Sequence, residues 1–428
     1  MALAAIVAAA IQITAYRQAN LGRQALARVE ARWAARAGVE QIIAVLAANN
    51  EYPDVNNAFR VYTEMAAVSD GDLLNATYRI RHWADGQEWA GPMDEHSRVN
   101  LNLLTAQDWL NLDFMTEDMT QDIIAWTTEM SDEEAMLSAV SPALLYYSNA
   151  PSPYAPRQAP FRHVAELELV YNVLPDFVRG EDWNLNNVLD PNENDGDMLW
   201  PPDNANGVLE AGWSAFLTAT SVDGGIGADG LPRLYLPLAE ITEVSQRFRV
   251  NTQQAQALVS FSLNPANRLS QLFTVPLSHV REDGTIANIN GPPVTQTLPL
   301  DTEQLGAVLN GATLTDPSFR DFGRMNLNTV SEWVLRDVLL MDPTLVDDLL
   351  YLRQRSSTGL TSIADLAAPP QSFTAQQLEQ LADLFDVRSN VFTITSIGRS
   401  NLTGAEVQII AVVDRSVMPI AILEYREP

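Results

Sequence analysis

The chain has 428 residues, 46% of them apolar and 8% aromatic, with 26 basic against 54 acidic side chains, a formal net charge of −28 and no cysteine. All 26 basic residues are arginine. Disulfides, thiolate metal sites, cysteine nucleophiles and lysine chemistry are therefore excluded, and nucleic acid is a poor partner because its binding needs clustered cations. The apolar content suffices for packed cores and the length allows roughly two to three domains.

Residues 1–50 hold five arginines and two glutamates, a net of +3, which leaves −31 for the rest. Ala2 to Tyr16 is apolar except for Gln12 and Thr14, and Arg17 ends the run. That run is shorter than the roughly 17–25 residues of a membrane span, and no basic segment precedes it as in a signal peptide. Leu21, Leu26, Val29, Trp33, Ala37, Ile42, Ile43 and Leu46 keep helical spacing with no proline before Pro53. One helix is predicted over residues 1–50, greasy first and amphipathic later, as an anchor feeding a globular head. Arg28 and Arg32 share a face at i,i+4 and are expected to pair with acids of partner subunits or with lipid phosphates. Trp33 is expected to pack on the head or on a neighbour.

Residues 51–98 begin an α+β head, with Ala76–Trp83 alternating as a half-buried strand before an Asp85-Gly86 turn. Residues 99–180 read as a first helical module and 181–320 as an acidic, mixed insertion. Residues 321–386 read as a second helical module and 387–428 as strands, at Val391–Ile397, Val407–Val413 and Ile420–Tyr425. The predicted fold class is α+β: a long N-terminal helix and an antiparallel sheet begun near residue 76 and finished by the C-terminus. The helical insertion between them must then have its two ends close together.

An internal repeat organises that insertion. Val99-Asn100-Leu101-Asn102-Leu103-Leu104-Thr105 recurs in kind as Met325-Asn326-Leu327-Asn328-Thr329-Val330-Ser331. Thr329 and Glu332 have capping-box spacing, and Thr105 and Asp108 a weaker version. Each copy runs through an apolar helix to a short closing element, Phe161–Leu167 and Leu360–Leu366.

The best chemical signal is Asp182-Trp183-Asn184-Leu185-Asn186-Asn187-Val188-Leu189-Asp190-Pro191-Asn192-Glu193. Asp182, Asn184, Asn186, the Val188 carbonyl, Asp190 and Glu193 fall at positions 1, 3, 5, 7, 9 and 12 of an EF-hand-type Ca²⁺ loop. Asn187 stands where glycine is usual, as the next best residue for left-handed backbone. Gly180 and Pro191 break the flanking helices, so an isolated loop is expected, with Asn194, Asp195 and Asp197 as possible extensions. Asp203–Gly207 is read as a turn.

The Asn-Leu-Asn opening, the helix pair and the closing "Phe/Leu–x–x–Val/Ile–x–Asp/Glu–Leu" resemble the helix-hairpin-helix-like (SAM-like) modules of type II secretion protein K, the large minor pseudopilin of the general secretion pathway. The order of greasy helix, Arg36-Ala37-Gly38-Val39-Glu40, strand region to Asp94-Glu95, insertion and late strands is similar along nearly the whole chain. The resemblance implies a pilin-like fold and a single-pass bacterial inner-membrane protein with its head in the periplasm. It implies a role at the pseudopilus tip, other minor and major pseudopilins as partners, no small-molecule substrate, and bound calcium. The sequence departs from the family in that no basic leader is seen before Ala2, which is read as a mature or truncated sequence or a misassigned gene start. The alternative is a calcium-stabilised, membrane-anchored surface or adhesin-like module.

Catalysis is not indicated. The four histidines, His82, His96, His163 and His279, are widely separated, and no HExxH, GxSxG, phosphate loop or dinucleotide fingerprint is present. The modules also lack the basic, glycine-rich hairpins of DNA binders, carrying Glu117-Asp118 and Asp347-Asp348 instead.

Overall fold

The computed structural model describes residues 2–129, 141–196, 198–316, 319–367 and 373–427. Helix α1 (Ala2–Glu51) is continuous over 50 residues, about 75 Å at 1.5 Å per residue. From Ala10 to Leu26 it lies free, with Ile11, Tyr16 and Leu21 each more than half exposed. From Ala27 onward it docks. A short helix, α2 (Arg60–Ala67), follows.

The sheet has seven antiparallel strands: β1 (Asp70–Asp72), β2 (Ala76–Ala84), β3 (Gln87–Ala90), β4 (Met93–Asp94), β5 (Val391–Ser400), β6 (Glu406–Asp414) and β7 (Ala421–Arg426). Its order is β1-β2-β5-β6-β7, with β3 beside β2 and β4 beside β5. The early strand stands where alternation placed it, and the three late strands cover the β-rich runs. Asp94 faces Phe392 and Ser396 faces Ile80, so residues 95 and 390 are neighbours and the insertion leaves and rejoins the head at one place.

Helix and sheet meet through small residues. Ala27, Ala31, Ala34 and Ala35 are wholly buried. A Cβ on Gly398 of β5 would overlap the Ala31 carbonyl oxygen and the Ala35 nitrogen. Val39, Ile42 and Leu46 then meet Ile80, Phe392, Ile394 and Ile409 in the head core.

Within the insertion, both helical modules share one core, from Trp109, Ile123 and Trp126 in the first to Val334, Leu349 and Leu378 in the second. A third core, around Phe248, Leu258 and Phe261, belongs to residues 236–312. The repeat has a physical basis. Asn102 donates to the Phe161 carbonyl (3.0 Å) and accepts from its amide (2.7 Å); Asn328 does the same to Leu360, at 3.0 and 2.7 Å. In each closing element a carboxylate, Glu166 or Asp365, accepts from the main-chain N–H four residues earlier.

One expectation fails here. Thr329 does not cap a helix: its hydroxyl donates to Asp94 Oδ2 (2.6 Å), and Ser331 caps instead by accepting from the Val334 amide (3.2 Å). The spacing assigned weaker, Thr105 and Asp108, is the true capping box. A buried acid brought by β4 competes for Thr329 and wins.

His82 on β2 is largely buried, with Nδ1 donating to the Gly91 carbonyl (2.9 Å), and burial lowers its pKa to about 4. A base depressed on folding leaves stability intact above about pH 6.5 and loses it as the pH falls toward 4. The His82 ring is expected to titrate near pH 4 by NMR, and His82→Gln to remove that part of the acid destabilisation. Gly398→Ala is expected to cost about 3 kcal/mol through overpacking. Gly22→Ala, whose Cβ meets nothing, should leave thermal unfolding unchanged or slightly raised.

Candidate cation-binding loop

The helix Pro175–Arg179 ends at Gly180, whose φ of +57° and crowding by the Glu210 carbonyl and the Gly212 nitrogen exclude a side chain. The chain turns inward there, and Asp182 is wholly buried. Its carboxylate accepts from the Asn186 and Asn187 amides, both at 2.9 Å. Asn186 Oδ1 accepts from the Val188 amide (2.7 Å), so positions 1, 5 and 7 coil around one centre. Asn187 at position 6 has φ +56°, the left-handed turn for which asparagine substitutes for glycine.

The far end closes with Pro191–Glu193, a 3₁₀ turn opened by Asp190. Glu193, 2% exposed, accepts from the Trp183 and Asp190 amides, each at 3.0 Å. Asp190 Oδ2 accepts from both the Asn184 and Asn186 side-chain amides at 2.8 Å. Hydrogen bonds thus link all six predicted residues into one network, Val188 through its amide and not its carbonyl, with Asp197 outside the described residues. Asp203 accepts from the Asp195, Gly196 and Ala205 amides, as a turn does.

The knot is short of positive charge. Burial first, then the Asp190 charge, push Asp182 up to about 6 against the pull of the Asn186 and Asn187 amides and of Arg98. Burial, then Asp182 and Asp190, push Glu193 up to about 8. Asn184 Oδ1 is a buried acceptor with no partner, and an unmet buried acceptor is costly. Hard oxygens, an orphaned acceptor and two carboxylates disfavoured as anions fit a hard cation. Among the described residues no three carboxylate or imidazole groups stand already gathered as a metal cage. Three of the six positions here offer neutral amide or carbonyl oxygens.

Residues invisible to local reading hold the loop on the sheet. Arg426 of β7 donates to the Asn184 and Leu185 carbonyls at 3.0 and 2.7 Å. Thr395 of β5 donates to the Asn186 carbonyl (2.8 Å), and the Trp83 amide of β2 to the Asn187 carbonyl (2.7 Å). Arg98 donates to Asn187 Oδ1 (2.5 Å). Beside the loop, Glu181 accepts from the Asn204 and Glu210 amides, and Glu210 from the Asn204 and Asn206 side chains. Only the density of Asn and Asp around residues 194–206 hinted at this second knot.

On α1 the structure corrects one expectation: Arg32 pairs with Glu427 of its own chain at 2.8 Å. Trp33 is 59% exposed, so it does not pack on the head, and Arg36 lies 5.5 Å over its ring. No helix among the described residues is long and apolar enough to cross a membrane.

No family model matches the chain, and no curated protein matches it. Among solved structures it is similar to a chain in the crystal structure of the GspK-GspI-GspJ complex from the enterotoxigenic Escherichia coli Type 2 Secretion System. The identity is 11% and the TM-score 0.44, over 97% of this chain and 99% of that chain.

Proposed function

We propose that this chain is a K-type minor pseudopilin of a type II secretion system, working at the tip of a periplasmic pseudopilus. The observation that carries the reading is a single helix, free over one half and docked over the other, on a sheet interrupted by one bulky insertion at residues 95–390. A free helical half with Ile11, Ile13, Tyr16 and Leu21 exposed suits packing among other helices, and before assembly it anchors the chain at the inner membrane. Where the free part passes into the docked part, Leu26, Val29 and Trp33 form a second apolar stripe, opposite the alanines, and all three are about half exposed. Helices of other minor and major pseudopilins pack there, and the insertion blocks addition of a subunit above.

The experiment is co-expression of the full chain with the pilin-like subunits encoded beside it, followed by gentle detergent extraction. One complex is expected to elute. Leu26→Glu with Trp33→Glu should release this chain from it without changing its melting temperature. Elution of the wild type alone would overturn the reading.

The loop at residues 182–193 supports a Ca²⁺ site held by Asp182, Asn184, Asn186, the Val188 carbonyl, Asp190 and Glu193. Bound calcium supplies the positive charge that the buried carboxylates lack. Stabilisation by a native-state ligand at one hundred times its Kd is about 2.7 kcal/mol. EDTA is expected to lower the melting temperature and millimolar Ca²⁺ to restore it, while Asp182→Asn and Glu193→Gln lose the response. A wild-type melting curve indifferent to calcium would sink the site.

A further inference from the structure

A cleft of about 700 Å³ in the head lies between the β2–β3 turn, the two helical modules and the Glu210–Phe216 segment. That volume falls in the range of sites that hold ligands. Six aromatic side chains line it: Trp83, Phe114, Phe177, Trp213, Phe216 and Trp333. Phe114 stacks flat on Phe177, centroids 5.7 Å apart at 8°, and Phe177 meets Trp213 at 5.6 Å. Phe216 and Trp333 form a second pair at 4.3 Å.

Phe114 is an odd residue for its position. It is 75% exposed and has φ +65°, a backbone that costs a bulky residue energy and that clusters at ligand clamps. The ring is held at the cleft by this conformation and by the stack on Phe177, while most of its surface faces water.

The charge is one-sided. Asp85, Asp113, Asp176 and Glu210 line the cleft, and among the described residues no arginine or histidine does. Glu210 is occupied by asparagine amides, and Asp85 is near enough to Arg353 for its charge to offset part of the burial that lowers that guanidinium's pKa. Asp113 and Asp176 form no ion pair among the described residues. Aromatic faces beside unpaired carboxylates attract a guanidinium or ammonium through both cation–π and charge terms. The aromatics form two separate groups rather than one box around a single cation, so the occupant carries apolar side chains next to its charge.

We propose that this cleft docks an extended segment of a partner polypeptide in which an arginine or lysine is flanked by apolar residues. Asp113 and Asp176 take the cation, and the Phe114–Phe177–Trp213 and Phe216–Trp333 groups take its neighbours. The assignment stands on the cleft alone and does not depend on the assembly or calcium readings above.

The test is calorimetric titration of the full chain at physiological salt with acetyl-Leu-Arg-Leu-amide, acetyl-Leu-Glu-Leu-amide and arginine amide. The arginine tripeptide is expected to bind with a Kd of about 0.1–1 mM. Asp113→Asn with Asp176→Asn should weaken it at least tenfold, and Phe114→Ala should weaken it too. Glu243→Gln with Glu282→Gln, two exposed carboxylates in the 236–312 lobe, should leave binding unchanged. No binding of the arginine tripeptide, equal binding of the glutamate tripeptide, or equal losses in the remote pair would overturn the proposal. Arginine amide binding as tightly as the tripeptide would overturn it in favour of a small cation.

Discussion

The contact of α1 with β5 is the constraint on which the head depends. Backbone approaches backbone only because Ala31 and Ala35 face Gly398, with Gly38 set against Ser396 and Tyr78. Larger side chains on either surface would push the helix off the central strand and open the core of Ile42, Leu46, Ile80, Phe392 and Ile394. The same contact fixes which face of α1 is left over. With the alanines turned inward, Leu26, Val29 and Trp33 must point out, so the close fit of the head dictates the surface the helix offers to other molecules.

The second constraint is how a long insertion is tied into that head. Asp94, at the point of departure, accepts from the Tyr62, Ser389 and Thr329 hydroxyls and from the His96 amide. Ser389 sits at the point of return, so one buried carboxylate joins both ends to α2 and to the second repeat. Nearby, Asp386 accepts from Arg233 and Arg324 at 2.9 Å each, and these guanidiniums hold its carboxyl well below the usual range against burial. Such buried pairs add little net stability over an apolar core, but breaking one is costly because a charge is then stranded. Their effect is to make one docking geometry far better than its neighbours.

The frame was legible where the signal is periodic. The proline-free spacing to Leu46, the alternation at Ala76–Trp83 and the late β-rich runs correspond to α1, β2 and β5 to β7. The paired Asn-Leu-Asn motifs were legible because the second asparagine does one job in both copies, stitching its closing element. Long-range competition was not legible. Thr329 has a good local partner in Glu332 and is taken by Asp94; Arg32 finds Glu427 at the other end of the chain. For the loop, the order of the oxygen groups could be read from residues 182–193 alone. Its supports, Arg98, Thr395 and Arg426, come from other elements, and no local spacing points to them.

Part of the surplus of 54 acids over 26 arginines serves the irregular insertion. Short 3₁₀ turns and loops leave many main-chain N–H groups without ladder partners, and each needs an acceptor. Asp108, Glu166, Asp182, Glu193, Asp203, Asp301, Asp342 and Asp365 supply them. Carbonyls left over in the same segments are met by guanidiniums: Arg324 at Ala382, Arg353 at Val330, Arg415 at Ser389 and Arg426 at Asn184 and Leu185. A forked guanidinium reaches two carbonyls at once where an ammonium is a point donor, as Arg426 does. In these turns one carboxylate takes several N–H groups, as Asp203 does from Asp195, Gly196 and Ala205. Where such carboxylates are also buried together, as Asp182 and Glu193 are, that economy leaves a negative centre. The same physics that shapes the loops therefore creates the place where a cation is wanted.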